Sequence, residues 1–392
     1  MGTEPSSLRF AISMRYFSTF TGIGGFELGI EQAYEILHNA GRGANAGGKN
    51  APPPKPYDTR EGLVPTAGQG ADASKGSARE RTDDEPRERP LCVGYSEIDK
   101  YASAIYQLRY PEHKNYGDIT KIKTEELPDF DLLCGGFPCQ SFSVAGQRRG
   151  FEDTRGTLFF ELARIARAKQ PRLLLFENVK GLLSHDQGRT FYTIITTLDE
   201  LGYDCQWQVL NSKNHGVPQN RERIFIVGHL RGGRRPEVFP LGENEDDRVT
   251  GDEESEGRDV SATLTVRNAS GTNARGTYVI EPGTLRTHKD GKGFRKTASG
   301  LVPTIPARAR EDGSGQPCVR IYDIENIDPA TTQIRRLTPV ECERLQSFRD
   351  GWTSAGITPQ VEVEPISDTQ RYKTLGNAVT VNVIRDIMLK LL

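Results

Sequence analysis

The chain has 392 residues, 51 Lys and Arg against 53 Asp and Glu, a net charge of −2 and six cysteines. That length can bury a large core and suggests two domains, while the near-neutral balance excludes a protein that coats polyanions along its whole surface. With no apolar run long enough for a membrane, no basic and apolar start like a signal peptide and no Cys-x-x-Cys pair, a soluble cytoplasmic protein without zinc or a disulfide framework is expected.

In chain order, Met14 to Thr19 reads as a strand, and Phe20-Thr-Gly-Ile-Gly-Gly-Phe26 follows it. Phe26, Ile30, Ala33 and Leu37 recur at helical spacing, with Asn39 to Gly41 as the stop. A glycine-rich turn thus joins a strand to a helix, where backbone can approach a ligand and the helix N-terminus favours negative charge. The spacing matches neither Gly-x-Gly-x-x-Gly nor a P-loop, and alone it describes a tight turn equally well. Residues 42–90 hold three successive prolines, mixed charge and a single aromatic, Tyr57. They bury too little apolar surface to offset chain entropy and read as a disordered insertion.

Leu91-Cys-Val-Gly-Tyr-Ser-Glu97 reads as a second strand ending on an acid, and a third short strand ends at Gly117-Asp-Ile119. Two carboxylates at strand ends after a glycine turn suggest an adenosine pocket, the first acid accepting the ribose hydroxyls. The apolar run Phe130 to Cys134 is a fourth strand, broken by Gly135 and Gly136. Pro138 fixes the next turn and places Cys139 at the strand's C-terminal edge, where open α/β sheets bind ligands. A thiol there is a nucleophile if its surroundings favour the thiolate; in isolation it is equally a small semi-buried residue.

Asp153-Thr-Arg-Gly-Thr157 leads into a helix from Leu158 to Ala168. Arg172-Leu-Leu-Leu-Phe-Glu177 is a fifth strand, with a carboxylate at its end that can act as an acid if its pKa is raised. A carboxylate that caps the next helix would look the same. Cys205 to Asn211 and Ile224 to His229 form a strand pair around Gln219-Asn-Arg-Glu-Arg223. Arg221 and Arg223 alternate and so share a side, which suits an oxyanion or phosphate, or ion pairs with surface acids such as Glu222.

Arg231 to Asp259 reads as a polar, acidic linker, and residues 243–256 hold eight acids and one arginine, a net of −7. From Val260 to Val319 short strand-like pieces alternate with glycines, as in a small irregular β-rich domain. Residues 257–322 carry eleven Lys and Arg against five acids, a net of +6. Such a patch can attract a phosphate backbone or simply be a solvated face. Leu337 to Phe348 is an amphipathic helix with Thr338 as N-cap and Glu341 three residues on. Tyr372-Lys-Thr-Leu-Gly-Asn-Ala-Val-Thr-Val381 precedes an apolar helix that should pack back on the first sheet. There are no internal repeats.

Together these pieces resemble the DNA (cytosine-5)-methyltransferases of the bacterial modification type. The order of motifs is the family's: Phe20-Thr-Gly-Ile-Gly-Gly25, Ser96-Glu-Ile-Asp99, Gly117-Asp-Ile119, Gly135-Gly-Phe-Pro-Cys-Gln-Ser141, Arg155-Gly-Thr157, Glu177-Asn-Val179, Gln219-Asn-Arg-Glu-Arg223, Arg336-Leu-Thr-Pro339 and Gly376-Asn-Ala-Val379. The match covers nearly the whole chain except 42–90 and parts of 230–330. It implies an α/β fold: a Rossmann-like S-adenosylmethionine-dependent methyltransferase sheet with a small, irregular, β-rich target-recognition domain. The implied division is a catalytic and cofactor-binding domain over 1–229, target recognition over 230–334, a hinge and connecting helix over 335–370, and a return to the catalytic domain over 371–392.

The resemblance further implies S-adenosylmethionine as donor and S-adenosylhomocysteine as product. Phe20, Gly22, Gly24 and Gly25 would line its methionine and ribose end. Glu97 would hold the ribose, Ile98 would pack on adenine, and Asp118 with Ile119 would meet the adenine edge. Gly136, Pro138, Leu158, Asn377 and Val379 would close the pocket. Cys139 would attack C6 of cytosine, Glu177 would bond N3 and the amino group, Arg223 would hold O2, and Arg221 would steady the loop and the carboxylate. The base must leave the helix stack for this, as in other base-flipping enzymes. Gln140, Ser141 and Ser143 are candidates for phosphate or vacated-space contacts. Thr304 and Ile305 stand where the family has Thr-Leu, and Arg308 and Arg310 suit the groove.

Duplex DNA is the expected partner, with a cognate restriction endonuclease as functional counterpart. A monomer in the prokaryotic cytoplasm, associated with the nucleoid, is expected. A tRNA cytosine-5 methyltransferase and a catalytically dead DNA-binding regulator are the competing readings.

Overall fold

A computed structural model describes residues 14–43, 89–138, 158–241, 278–286, 293–307, 317–323 and 333–392. The expected positions Cys139, Gln140, Ser141, Ser143, Arg308 and Arg310, the Arg155-Gly-Thr157 motif and most of the 42–90 insertion lie outside the described residues.

The first half of the chain builds one sheet. Strands β1 (Arg15–Thr19), β2 (Leu91–Ser96), β3 (Leu132–Gly136) and β4 (Leu173–Val179) run parallel. Strands β5 (Tyr203–Asn211), β6 (Gln219–Asn220) and β7 (Glu222–Leu230) follow, and β7 pairs antiparallel with both β4 and β5. The sheet order is β2-β1-β3-β4-β7-β5. Helices α1 (Gly25–Gly43), α2 (Lys100–Arg109), α3 (Leu158–Lys169) and α4 (Arg189–Glu200) connect these strands.

Apolar residues run unbroken through β3, β4 and β7 because both faces of the sheet are covered. Alternate residues go to opposite sides. Tyr16, Leu132, Leu173, Leu175, Phe225 and Val227 pack with Phe26 and Ile30 of α1. Their neighbours Phe17, Leu133, Leu174, Phe176, Ile224 and Ile226 pack with Phe159, Leu162 and Ile194 of α3 and α4.

The second half adds a four-stranded antiparallel sheet. Its strands are β8 (Tyr278–Arg286), β9 (Gly293–Lys296), β11 (Pro317–Asp323) and β12 (Gln333–Arg336), in the order β12-β11-β8-β9. Between them β10 (Val302–Pro303) pairs parallel with β6 of the first half. Helix α5 (Pro339–Leu345) starts at a capping box, Thr338 accepting from Glu341 N and the Glu341 carboxylate accepting from Thr338 N. A hairpin, β13 (Ala355–Ile357) and β14 (Val363–Pro365), leads to α6 (Asp368–Asn377) and α7 (Val381–Leu391). Val383, Ile384 and Ile387 of α7 join the cluster of α1 and the first sheet, as the sequence predicts. No described helix is long and apolar enough to cross a membrane.

Two expected elements differ. No strand ends at Gly117-Asp-Ile119: only Asn115 bridges to Tyr95, Gly117 turns at φ +69°, and Asp118 caps a short 3-10 turn. The expected linker also begins later. Val238 is buried against the first sheet, and Gln206 and Gln208 of β5 bond the backbone of Pro236, Val238 and Leu241. A peptide so bonded is an added layer on the sheet edge.

Candidate active site

A cavity of about 340 Å³ opens at the C-terminal ends of the parallel strands. That is where doubly wound sheets bind ligands, and the volume is at the small end for ligand sites. Phe20 and Gly22 from the β1–α1 turn line it, with Glu97, Asp99 and Ala102 after β2. Gly136, Phe137 and Pro138 after β3 and Glu177, Asn178 and Val179 of β4 form another wall, with Arg221 and Arg223 beside β7 and Thr374, Gly376 and Asn377 of α6.

The β1–α1 turn is shaped for close approach. Phe20 and Gly22 both take left-handed backbone, at φ 50° and 61°, a conformation that a phenylalanine adopts only under constraint. Gly22 N donates to Glu97 Oε2 at 2.8 Å, while Glu97 Oε1 accepts from Ile98 N at 2.9 Å and Asp99 N at 2.7 Å. Three amides therefore fix this carboxylate, and Oε2, with one bond, keeps capacity for a ligand hydroxyl. Burial still raises its pKa above the ordinary value, against the pull of those amides. Ile98, 76% exposed, is an apolar surface beside it.

The opposite wall carries the second carboxylate. Arg223 Nε lies 3.0 Å from Glu177 Oε1, and both side chains are largely buried. Burial raises the Glu177 pKa, and the charges of Arg223 and Arg221 only partly oppose it. Burial thus favours the protonated form of this carboxyl more than water would. Gly136 makes room for it: a Cβ there would stand 2.7 Å from Glu177 Oε2. Asn178 Nδ2 donates to Phe137 O at 2.8 Å and so pins the backbone just before Pro138.

Arg221 is fully enclosed. Its Nη2 donates to Ala378 O at 2.7 Å and Gly376 O at 3.3 Å, whereas Nε and Nη1 have no partner. Burial lowers its pKa to about 9, which leaves it charged at neutral pH. The guanidinium therefore ties the Gly376–Ala378 wall to the side of the cavity that holds Glu177.

The cavity thus brings together Phe20, Gly22, Glu97, Gly136, Pro138, Glu177, Arg221, Arg223 and Asn377 of the expected site residues. Others sit behind it. Gly24 packs on Tyr110 and Gly25 on Val379, and Val379 is itself part of the core. Leu158 is partly buried against the core of the second sheet face. The Asp118 carboxylate bonds Thr120 N and Oγ1 and does not line the cavity. The side chains of Ile119 and Ile305 are buried in apolar clusters, leaving only backbone for a ligand. Thr304 Oγ1 donates to Asn220 O at 2.9 Å, so this segment docks on the arginine stretch. Sequence reasoning overlooked Asn178, although it lies inside a quoted motif, and gave Asp99 and Thr374 no role.

Residues 88–392 match the model of the C-5 cytosine-specific DNA methylases. The chain belongs to that family. The methylase is 40% identical over 312 residues to the type II methyltransferase M1.ScrFI of Lactococcus lactis subsp. cremoris, covering 78% of this chain and 73% of that protein. It is 35% identical over 305 residues to the type II methyltransferase M.HhaI of Haemophilus parahaemolyticus, covering 76% and 86%. In fold it is similar to the crystal structure of S. pombe Dnmt2 methyltransferase, with a TM-score of 0.59, 17% identity and coverage of 96% and 98%. The Entamoeba histolytica methyltransferase EhMeth superposes with a TM-score of 0.55 at 15% identity, covering 97% and 98%. The methylase is accordingly an enzyme that methylates cytosine at C5 in DNA, on an α/β fold with a mixed central sheet and a strand-rich second region.

Proposed function

We propose that this methylase uses S-adenosylmethionine to methylate a cytosine flipped out of duplex DNA, through a transient bond from Cys139 Sγ to C6. The observation that carries this reading is Glu177, buried beside Arg223 at 3.0 Å on one wall of a cavity whose other wall holds the amide-fixed Glu97. One carboxylate suits a base that must be protonated, the other a ribose that must be gripped. The bound cofactor supplies an electrophilic methyl on a sulfonium.

Cytosine C5 is a weak nucleophile. Addition of the Cys139 thiolate to C6 pushes electron density to C5 and N3. Glu177 bonds N3 and the exocyclic amino group, and its raised pKa lets it carry the required proton. Arg223 holds O2, and Arg221 steadies both Glu177 and the Gly376–Ala378 wall. After C5 takes the methyl group, its proton leaves to water or hydroxide, the C5–C6 double bond returns and the thiolate departs. At the other wall Gly22, Glu97 and Ile98 hold the ribose and adenine, with Phe20 and Asn377 closing over them. Asp118 meets the adenine only if its Oδ2 turns inward from Lys121, 3.8 Å away.

On this reading target recognition resides in 230–334, where the Thr304 segment joins the antiparallel sheet to the catalytic arginines. The cluster containing Val302, Ile305, Val319 and Ile321 also contains Ile105, Leu345 and Leu375, which makes that joint a packed one. Arg308 and Arg310 follow the joint directly in sequence and are assigned to DNA. The enzyme acts as a cytoplasmic monomer of a restriction–modification pair.

The test is transfer of labelled methyl groups to duplex DNA and to tRNA, with bisulfite sequencing of the product. Methyl on cytosine C5 in duplex DNA is the expected result. Product on tRNA alone would overturn the choice of substrate, and labelling that persists fully in Cys139→Ser would overturn the nucleophile.

A further inference from the structure

We infer that the ion pair between Lys373 and Asp99 is a latch that holds the two walls of the cofactor cavity together around a bound ligand; this rests on the reading that the cavity takes S-adenosylmethionine. Those walls come from opposite ends of the chain. Glu97, Asp99 and Ala102 belong to the β2–α2 junction, while Thr374, Gly376 and Asn377 belong to α6. Lys373 Nζ reaches Asp99 Oδ2 at 2.6 Å and joins them.

Each end of the pair is fixed from behind, above a packed cluster that already holds Ala102 and Ile105 of α2 with Leu345 and Leu375. Asp99 Oδ1 caps α2, accepting from Tyr101 N at 3.0 Å and Ala102 N at 3.1 Å, so the carboxylate cannot swing away without uncapping the helix. On the other side Tyr372 Oη donates to Leu337 O at 2.6 Å and Arg371 Nη2 to Glu343 at 3.1 Å, which fastens α6 to the α5 region. The lysine–aspartate contact therefore closes the cavity rim over a seam whose base is already packed and bonded by Arg109 to Gly351 O and Trp352 O. Although burial acts to raise the Asp99 pKa, Lys373 and the capping amides outweigh it and hold the carboxyl below its ordinary range.

Side-chain exposures of 44% for Lys373 and 27% for Asp99 mean that water reaches the pair in the free protein. A ligand seated between the walls displaces part of that water and lowers the local dielectric, which strengthens the attraction. The pair thus favours the occupied state over the empty one. Its loss should appear mainly as faster ligand escape, by roughly two- to fivefold, the scale of a partly exposed ion pair.

A purely electrostatic influence would behave differently. S-adenosylmethionine carries a net positive charge and S-adenosylhomocysteine none. Removing a nearby cation should then tighten S-adenosylmethionine, and removing a nearby anion should weaken it. A latch requires both substitutions to weaken both ligands.

The experiment measures Kd by calorimetry and the dissociation rate by displacement of labelled ligand, for both molecules, with full-length protein. Lys373→Met and Asp99→Asn, the latter keeping the cap acceptor, should each raise the dissociation rate two- to fivefold. The double variant should be no worse than either alone, and Lys373→Arg should stay near wild type. Unchanged dissociation rates, or tighter S-adenosylmethionine binding in Lys373→Met with weaker binding in Asp99→Asn, would overturn the latch. Wild-type protein that binds neither ligand would overturn the cofactor reading itself, an outcome distinct from wild-type binding with indifferent variants.

Discussion

Glu177 of the parallel-sheet half and Glu281 of the strand-rich half each sit between two cations, yet the structure drives their acidities apart. Glu281 accepts from Lys296 Nζ at 2.9 Å and from Arg320. Burial raises its pKa, but those two partners outweigh it and hold the carboxyl below the ordinary range. Glu177 has Arg223 and Arg221, and there burial wins. The partners explain the difference: Glu281 is as buried as Glu177, but Lys296 and Arg320 keep side-chain exposures of 57% and 37% and so remain solvated. Arg223 and Arg221 are themselves enclosed. Water access to the cations, more than their number, sets the direction in which the acid's pKa moves. One arrangement suits the proton-donating role proposed for Glu177, the other a structural tie across β8, β9 and β11.

The largest effect should separate the two acids by activity. Glu177→Gln is expected to lower single-turnover methyl transfer by about 10²–10⁴-fold, the range for a positioned acid. Glu281→Gln should leave it within about twofold. Comparable losses in both would show that the solvation of their cations does not divide their roles.

Gly136→Ala comes next. The new Cβ, 2.7 Å from Glu177 Oε2, must push the carboxylate off its place. Misplacement on the ångström scale costs on the order of 10²-fold in rate, so methyl transfer should fall by about that factor while the melting temperature changes little.

A third carboxylate extends the series. Glu27 of α1 is fully buried, and burial raises its pKa to about 7 against the opposing pull of Ser18 and Tyr106. Because the folded value exceeds the unfolded one, the native state holds the extra proton and stability falls as pH rises from about 4.5 to 7. The loss should reach on the order of 3 kcal/mol. Denaturant titration across this range should show that slope, and Glu27→Gln should remove it. Glu177 contributes in the same direction.

Glu281 should do the opposite and least. With its folded pKa lowered, its stabilisation is present above the unfolded value and disappears as pH falls through the folded one. A double-mutant cycle with Lys296 should give about 0.2–1 kcal/mol, as for solvent-accessible pairs. A coupling of several kcal/mol would mean that the exposed Lys296 is no weaker a partner than an enclosed cation.

Much of this architecture was legible in the residues. The unbroken apolar runs at Leu132 and Leu173 announced strands covered on both faces, and Thr338 with Glu341 announced the capping box. The cavity's carboxylates and arginines could be named because each ends a strand or sits beside one. What could not be read depends on partners far away in sequence. Ile119 stands among polar residues and Ile305 between two prolines, and only the approach of distant core residues shows that both are buried. Gly117 and Asp118 carry turn and cap chemistry that an acid-at-strand-end reading passes over. Val238, Phe239 and Leu241 were a usable apolar signal at the sheet edge, masked by charged neighbours.

The decisive experiment offers the methylase duplex DNA with 5-fluorocytosine at its target site and S-adenosylmethionine, followed by denaturing electrophoresis and peptide mapping. Fluorine cannot leave C5 as the proton does, so the bond to C6 should persist and the protein should migrate as a DNA adduct mapped to Cys139. A folded, cofactor-binding protein that methylates ordinary DNA yet forms no adduct, or forms one at another residue, would contradict attack by Cys139.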